Sequence, residues 1–269
     1  MGRRQRHQAS GAAEWGPARL LTLLVVSALV ALAVLAGLVL AVITTFADDD
    51  PAPAGAGPRV AAPATDMSRQ DALAAAPMPP AEPEAALPGP LATEAAGVIE
   101  LPRPTGIGPA EVPTGFPRTP EGAMAQLAAI DVTAMESGSV DGVRQVIAEW
   151  AAPGGPTPET WSGVDGMARL LSAAGLSSAG SPQLAIVVRP LMGLVKGTVG
   201  PDFAVVCVDF EFTVTVEQTS RIAIADCQRM QWTGDRWLIG PGPEPAPAPS
   251  VWPGTEAAVA AGYRELRYV

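Results

Sequence analysis

The sequence predicts an α+β domain carried at the end of a membrane anchor and a long spacer. Three observations lead there. An uncharged apolar run extends from Leu20 to Phe46; residues 47–111 are rich in Pro, Ala and Gly without apolar periodicity; and from Val112 the hydrophobic period is first helical and then, from about residue 183, two. Helices first and strands afterwards, with short strand-to-strand turns, imply helices packed on one face of an antiparallel sheet.

A helix over residues 20–46 spans roughly 40 Å at about 1.5 Å per residue, more than the ~30 Å hydrocarbon core requires. Arg3, Arg4, Arg6 and Arg19 precede it, and Asp48, Asp49 and Asp50 follow. That asymmetry puts a cytoplasmic tail at 1–19 and everything after the run outside the cell membrane, in a single pass. The competing reading is a cleaved secretory signal, whose apolar region is only about 7–15 residues long. Thr45-Phe46-Ala47 also lacks the small-x-small cleavage pattern. Either reading exports the domain.

Prolines recur from Pro51 to Pro109 with alanine between them. Such a stretch buries too little surface to offset its ordering entropy and favours extended conformations. At about 3.1 Å per residue it reaches roughly 200 Å at most. It reads as a disordered linker, 47–111, with a weak helix signal around Met67 to Ala76.

The folded domain is expected over 112–269. Thr119-Pro120-Glu121 supplies an N-cap, a first-turn proline and a carboxylate at the positive helix end, for a helix running to about Glu136. A second helix starts at Ser139, with Val143, Val146, Ile147 and Trp150 on one stripe. The start signal repeats at Thr157-Pro158-Glu159, predicting a third helix to near Gly175. Leu184 to Val188 and Gly193 to Val195 form one strand, or a strand broken at Pro190. Phe203 to Glu217 is the strongest strand, with Ala204, Val206, Val208, Phe210 and Phe212 on one face and Cys207, Asp209 and Glu211 on the other. Arg221 to Trp232 and Arg236 to Ile239 follow, joined by a Thr233-Gly234-Asp235 turn. Trp252 is expected to pin the proline-rich stretch 241–255 to the domain, ahead of a short final helix from about Glu256 to Leu266. Trp150, Trp161, Trp232 and Trp237 are expected in the core, with ligand stacking the alternative for one of them.

The residues present exclude much chemistry. The single histidine, His7, lies in the tail, which removes Ser-His-Asp, Cys-His and His-dependent metal sites from the domain. Gly106-Ile107-Gly108 follows no strand and opens no helix, so it is no phosphate loop. A net charge of −10 argues against a nucleic-acid surface. No catalytic, cofactor or metal residue is assigned, and no enzyme activity is expected.

Carboxylates and cysteines remain. Asp209 and Glu211 share a strand face about 6–7 Å apart, a spacing at which an acid and a base can work, but the plainer reading is a solvated outer face balanced by Arg221 and Arg229. Cys207 and Cys227 invite a disulfide in an oxidising compartment; the alternative is two buried thiols. If the hairpin pairs them directly, Asp226 points to the buried side with Val206 and Val208, where a carboxylate must have a partner or a raised pKa, and becomes a pocket residue. A register shift of one residue puts it outside. Asp131, beside the apolar stripe of the first helix, is the other candidate pocket residue.

Three helices followed by a bent antiparallel sheet resemble the NTF2-like fold, a cone used by some families as a pocket and by others as a scaffold. Val112-Pro-Thr-Gly-Phe-Pro-Arg-Thr-Pro-Glu-Gly122 and Gly240-Pro-Gly-Pro-Glu-Pro-Ala-Pro-Ala-Pro-Ser-Val-Trp-Pro-Gly254 resemble stretches of actinobacterial conjugative-element membrane proteins. The resemblance implies a non-enzymatic scaffold or assembly component of a conjugative, type IV secretion-like apparatus. Its implied partners are the membrane, further copies of itself and other subunits of that apparatus. The alternative is a ligand- or lipid-binding accessory of an envelope transport system. A third reading, an NTF2-like enzyme using Asp226 or Asp131 as a base, is kept beside these.

Overall fold

The computed structural model describes residues 65–269. The expected tail 1–19, the apolar run 20–46 and the first part of the spacer lie outside the described residues. Among the described residues no helix is long and apolar enough to cross a membrane.

The architecture is α+β. Its sheet has six strands in the order β1-β8-β4-β5-β6-β7: β1 (Val98–Leu101), β4 (Ala185–Thr198), β5 (Phe203–Thr215), β6 (Thr219–Trp232), β7 (Trp237–Ile239) and β8 (Arg264–Tyr268). A separate two-stranded ribbon pairs β2 (Gly106–Ile107) with β3 (Pro113–Thr114). The main sheet is mixed rather than purely antiparallel, because β1 runs parallel to β8. β4 continues through Pro190, which stays in register opposite Phe210, and a register shift between Pro190 and Met192 leaves Leu191 without a partner in β5.

Against one face lie α2 (Pro120–Glu136), α3 (Val140–Trp150) and α4 (Ser162–Ala173). The cap of α2 forms as the sequence predicts, the Gly122 amide donating to Thr119 Oγ1 at 3.1 Å. Ser139 caps α3 in the same way, the Gly142 amide donating to its Oγ, and Val143, Val146, Ile147 and Trp150 are buried. The third start signal does not work. The Glu159 amide donates to Thr157 Oγ1 and the Thr157 amide to Thr160 Oγ1, so residues 157–160 form a turn and the helix begins only at Ser162. Threonine hydroxyls compete here with helical hydrogen bonding.

The second correction concerns the other face of the sheet. From Thr65 onward the expected disordered linker is folded onto the domain. α1 (Asp66–Ala75) is capped by Thr65 Oγ1, which accepts from the Ser68 amide, and its Ala74 packs against Phe203 and Val205. Lys196 Nζ donates to the carbonyl oxygens of Ala74 and Ala76, and Arg229 Nη2 to Asp71 Oδ1 at 2.7 Å. A 3-10 turn at Pro83–Ala86 brings Ala86 against Ala223 and Trp252, and Leu101 of β1 is fully buried. The proline-rich stretch 241–255 covers the same face, held by Val251 and by Trp252, which is 7% exposed and lies 4.9 Å from the Arg221 guanidinium carbon. The expected final helix stops at Ala260 as α5 (Glu256–Ala260). Gly262, at φ +91°, then turns the chain into β8.

Both faces of β5 are therefore covered, and Phe203 to Phe212 are buried without interruption. The outer face expected to carry solvated carboxylates is an interior.

Candidate functional site

Between the helices and the sheet lies a cavity of about 220 Å³. Its floor is β5 and β6, contributing Phe210, Phe212, Ile224, Ala225 and Asp226; its roof is α2 and the start of α4, contributing Asp131, Met135, Trp161, Gly163, Gly166 and Leu170. The register sets the floor. β5 pairs with β6 through Cys207↔Cys227 and Val208↔Asp226, so Asp226 shares a face with Val208. The rim is open at Gly166, where a Cβ would meet nothing within 4 Å.

The candidate pocket residues Asp131 and Asp226 thus line one cavity from opposite layers of the fold. Asp131 is 4% exposed, and its Oδ2 has no hydrogen-bond partner. Burial raises its pKa well above the ordinary aspartate value, and the negative charges of Asp226 and Glu244 push the same way. Part of Asp226 reaches the surface, yet its Oδ2 is enclosed and unpartnered, while Oδ1 accepts from Gln228 Nε2 at 3.2 Å. Burial moves the Asp226 carboxyl up to about 7; Glu244 adds to the rise, and the Gln228 side chain and Cys227 backbone oppose it. The third enclosed polar atom is Trp161 Nε1, which has no acceptor although the residue is 2% exposed. Trp150, Trp161 and Trp237 are buried as expected; Trp232 is half-buried and meets Trp237 edge-on at 5.5 Å.

Glu244 was not among the sequence candidates. It lies in the proline-rich stretch, and its Oε1 accepts from the Ser162 amide at 2.9 Å, at the positive end of α4. The helix N-cap, Trp161, has no side-chain oxygen to do this. A second cavity of about 320 Å³, lined in part by Ser162, Asp226, Cys227, Glu244 and Ser250, adjoins Asp226 from the side of this stretch.

Cys207 and Cys227 are bonded to each other, with Cα atoms 4.0 Å apart. They lie on the face opposite the cavity, against Met78, whose sulfur is 3.7 Å and 3.6 Å from theirs. Asp209 and Glu211 share that face but are not solvated. Glu211 is 6% exposed and receives Arg221 through Nε and Nη2 at 3.0 and 2.8 Å. Asp209 is fully buried and neither oxygen has a partner of normal geometry. Its carboxyl is pushed by burial up to about 8, although the nearby Val251 amide favours the charged form. Arg229, the other expected counter-charge, is committed to Asp71 and to the Pro241 carbonyl.

Chemically, the cavity joins apolar and aromatic walls to two carboxyls and one free N–H donor. Among the described residues no cluster of His, Cys, Asp and Glu is arranged to hold a metal ion. Comparison with known proteins adds no relative: no family model matches the chain, and no curated protein and no solved structure matches it.

Proposed function

We propose that the chain is a membrane-anchored, non-enzymatic assembly component of a conjugative, type IV secretion-like apparatus, displaying an NTF2-like domain outside the membrane. The observation that carries this reading is the Cys207–Cys227 disulfide in the domain that follows the Arg-flanked apolar run. Disulfides persist in oxidising compartments, so the bond and the charge asymmetry point the same way across the membrane. With the helices on one sheet face, the covering of the other by residues 65–101 and 241–255 makes a sturdy unit to hold beyond an anchor. The test is brief cross-linking in the native membrane, mild-detergent purification and mass spectrometry. Secretion ATPases and channel subunits bound to the full-length chain are the expected result. A chain that purifies alone, or with lipid-transport subunits only, overturns the reading.

A second reading is favoured by the cavity. Three residues with an unpartnered polar atom, Asp131, Trp161 and Asp226, line one apolar space and support a small-molecule-binding module. At about 220 Å³ the space suits a compact molecule.

A further inference from the structure

We infer that the cavity between α2, α4 and the β5–β6 floor binds a small organic monocation, an amine with an apolar or aromatic body, whose ammonium faces Asp131 and Asp226. The inference rests on the ligand-binding reading of the cavity and names its ligand class.

Asp131 from α2 and Asp226 from β6 enter the same space, and Glu244 lies close enough to act electrostatically on both. Among the described residues, none of these carboxylates has a salt-bridge partner. Buried charge without a counter-charge is costly, so the site meets the cost by retaining a proton. Two carboxyls lining one space without a counter-charge favour a bound cation there, and the negative charge of Glu244 acts in the same direction. An ammonium supplies the positive charge together with N–H donors for the unpartnered Oδ2 atoms of Asp131 and Asp226.

The walls decide the kind of cation. Phe210 and Phe212 stand edge to face at 6.2 Å, with Met135, Leu170 and Ile224 beside them. A hydrated inorganic ion gains little from such walls, whereas an apolar body gains burial and its ammonium a contact with an aromatic face. Trp161 Nε1, independent of the carboxylates, offers a donor to an acceptor atom on the ligand.

The experiment uses the full-length protein in mild-detergent micelles and three probes of one shape: benzylamine, benzyl alcohol and benzoate. Saturation-transfer NMR and titration are run at pH 8 and pH 6. Benzylamine is expected to bind at least tenfold more tightly than benzyl alcohol at pH 8, with benzoate not bound. Its affinity is expected to fall several-fold at pH 6 as the Asp226 carboxyl takes up a proton. Asp131→Asn and Asp226→Asn should each weaken benzylamine at least tenfold. Gly166→Phe, placing a ring at the open rim, should abolish binding without loss of folding, and exposed Asp165→Asn should change nothing. If the amine and the alcohol bind equally, or the Asn variants keep full affinity, the cation assignment is wrong while the cavity remains a ligand site. If no probe binds, both are overturned.

Discussion

Asp209 offers a sharp test of how this fold treats charge. It is fully buried between the sheet and the proline-rich stretch, and its carboxyl is raised from 3.8 to about 8. In the unfolded chain it titrates near its ordinary value, so between pH 4 and 8 the folded protein holds a proton that the unfolded chain has lost. Stability from this residue is therefore fully present below about pH 4 and falls as pH rises toward 8. At pH 7 the difference spans about three pH units at ~1.4 kcal/mol each, or on the order of 4 kcal/mol. Asp209→Asn removes that proton linkage. Urea unfolding of the detergent-solubilised chain, followed by tryptophan fluorescence at pH 4.5, 6 and 7.5, gives the comparison. The Asp209→Asn variant is expected to gain on wild type by about 3–4 kcal/mol between the first and last pH, whatever its offset at pH 4.5. Parallel stability curves, with a gap constant to within ~1 kcal/mol, would refute the reasoning, because they would mean that Asp209 titrates alike in both states.

Other perturbations follow from the same contacts. Replacing Cys207 and Cys227 by Ala opens a cross-link between residues 20 apart and is expected to cost about 3 kcal/mol in chain entropy, read as a lower urea midpoint; an unchanged midpoint contradicts it. Trp252→Ala is expected to cost about 3 kcal/mol and to expose the 241–255 stretch to protease, while a stretch that stays resistant shows that Trp252 does not hold it. Glu244→Gln removes a negative charge that raises both cavity carboxyls. Carboxyl-carbon NMR should therefore show Asp226 titrating at lower pH than in wild type, and an unmoved titration rules out the proximity.

The helical half of the domain was legible because its signals are local. Thr119 and Ser139 are followed at once by a first turn whose amides their side chains accept, and the stripe of α3 states which face is inside. Asp226 was legible through register, since one pairing both joins the cysteines and turns the carboxylate inward. The covering segments were not. Residues 65–111 bury small side chains such as Ala74 and Ala86 on a sheet formed far along the chain, and alanine between prolines carries no periodic signal. β1, at the sheet edge, and β8 beside it are short strands whose pairing is long-range, and the charged residues of β8 around Leu266 continue the helical pattern expected from Glu256 to Leu266. Missing that cover made Asp209 and Glu211 look solvated. Glu244 was missed for the same reason: its role depends on the stretch folding back to the bare N-terminus of α4, and only the lack of a capping side chain at Trp161 hinted that a distant acceptor was needed.

The functional reading stands on an exported, oxidised domain, and the state of its two cysteines in the native membrane tests that premise most directly. Membranes are quenched in acid, denatured in detergent and treated with a polyethylene-glycol maleimide before and after reduction. Because Cys207 and Cys227 are the chain's two cysteines, the account predicts no adduct before reduction and two after it. Two adducts before reduction would place the domain in a reducing compartment and contradict the proposed topology.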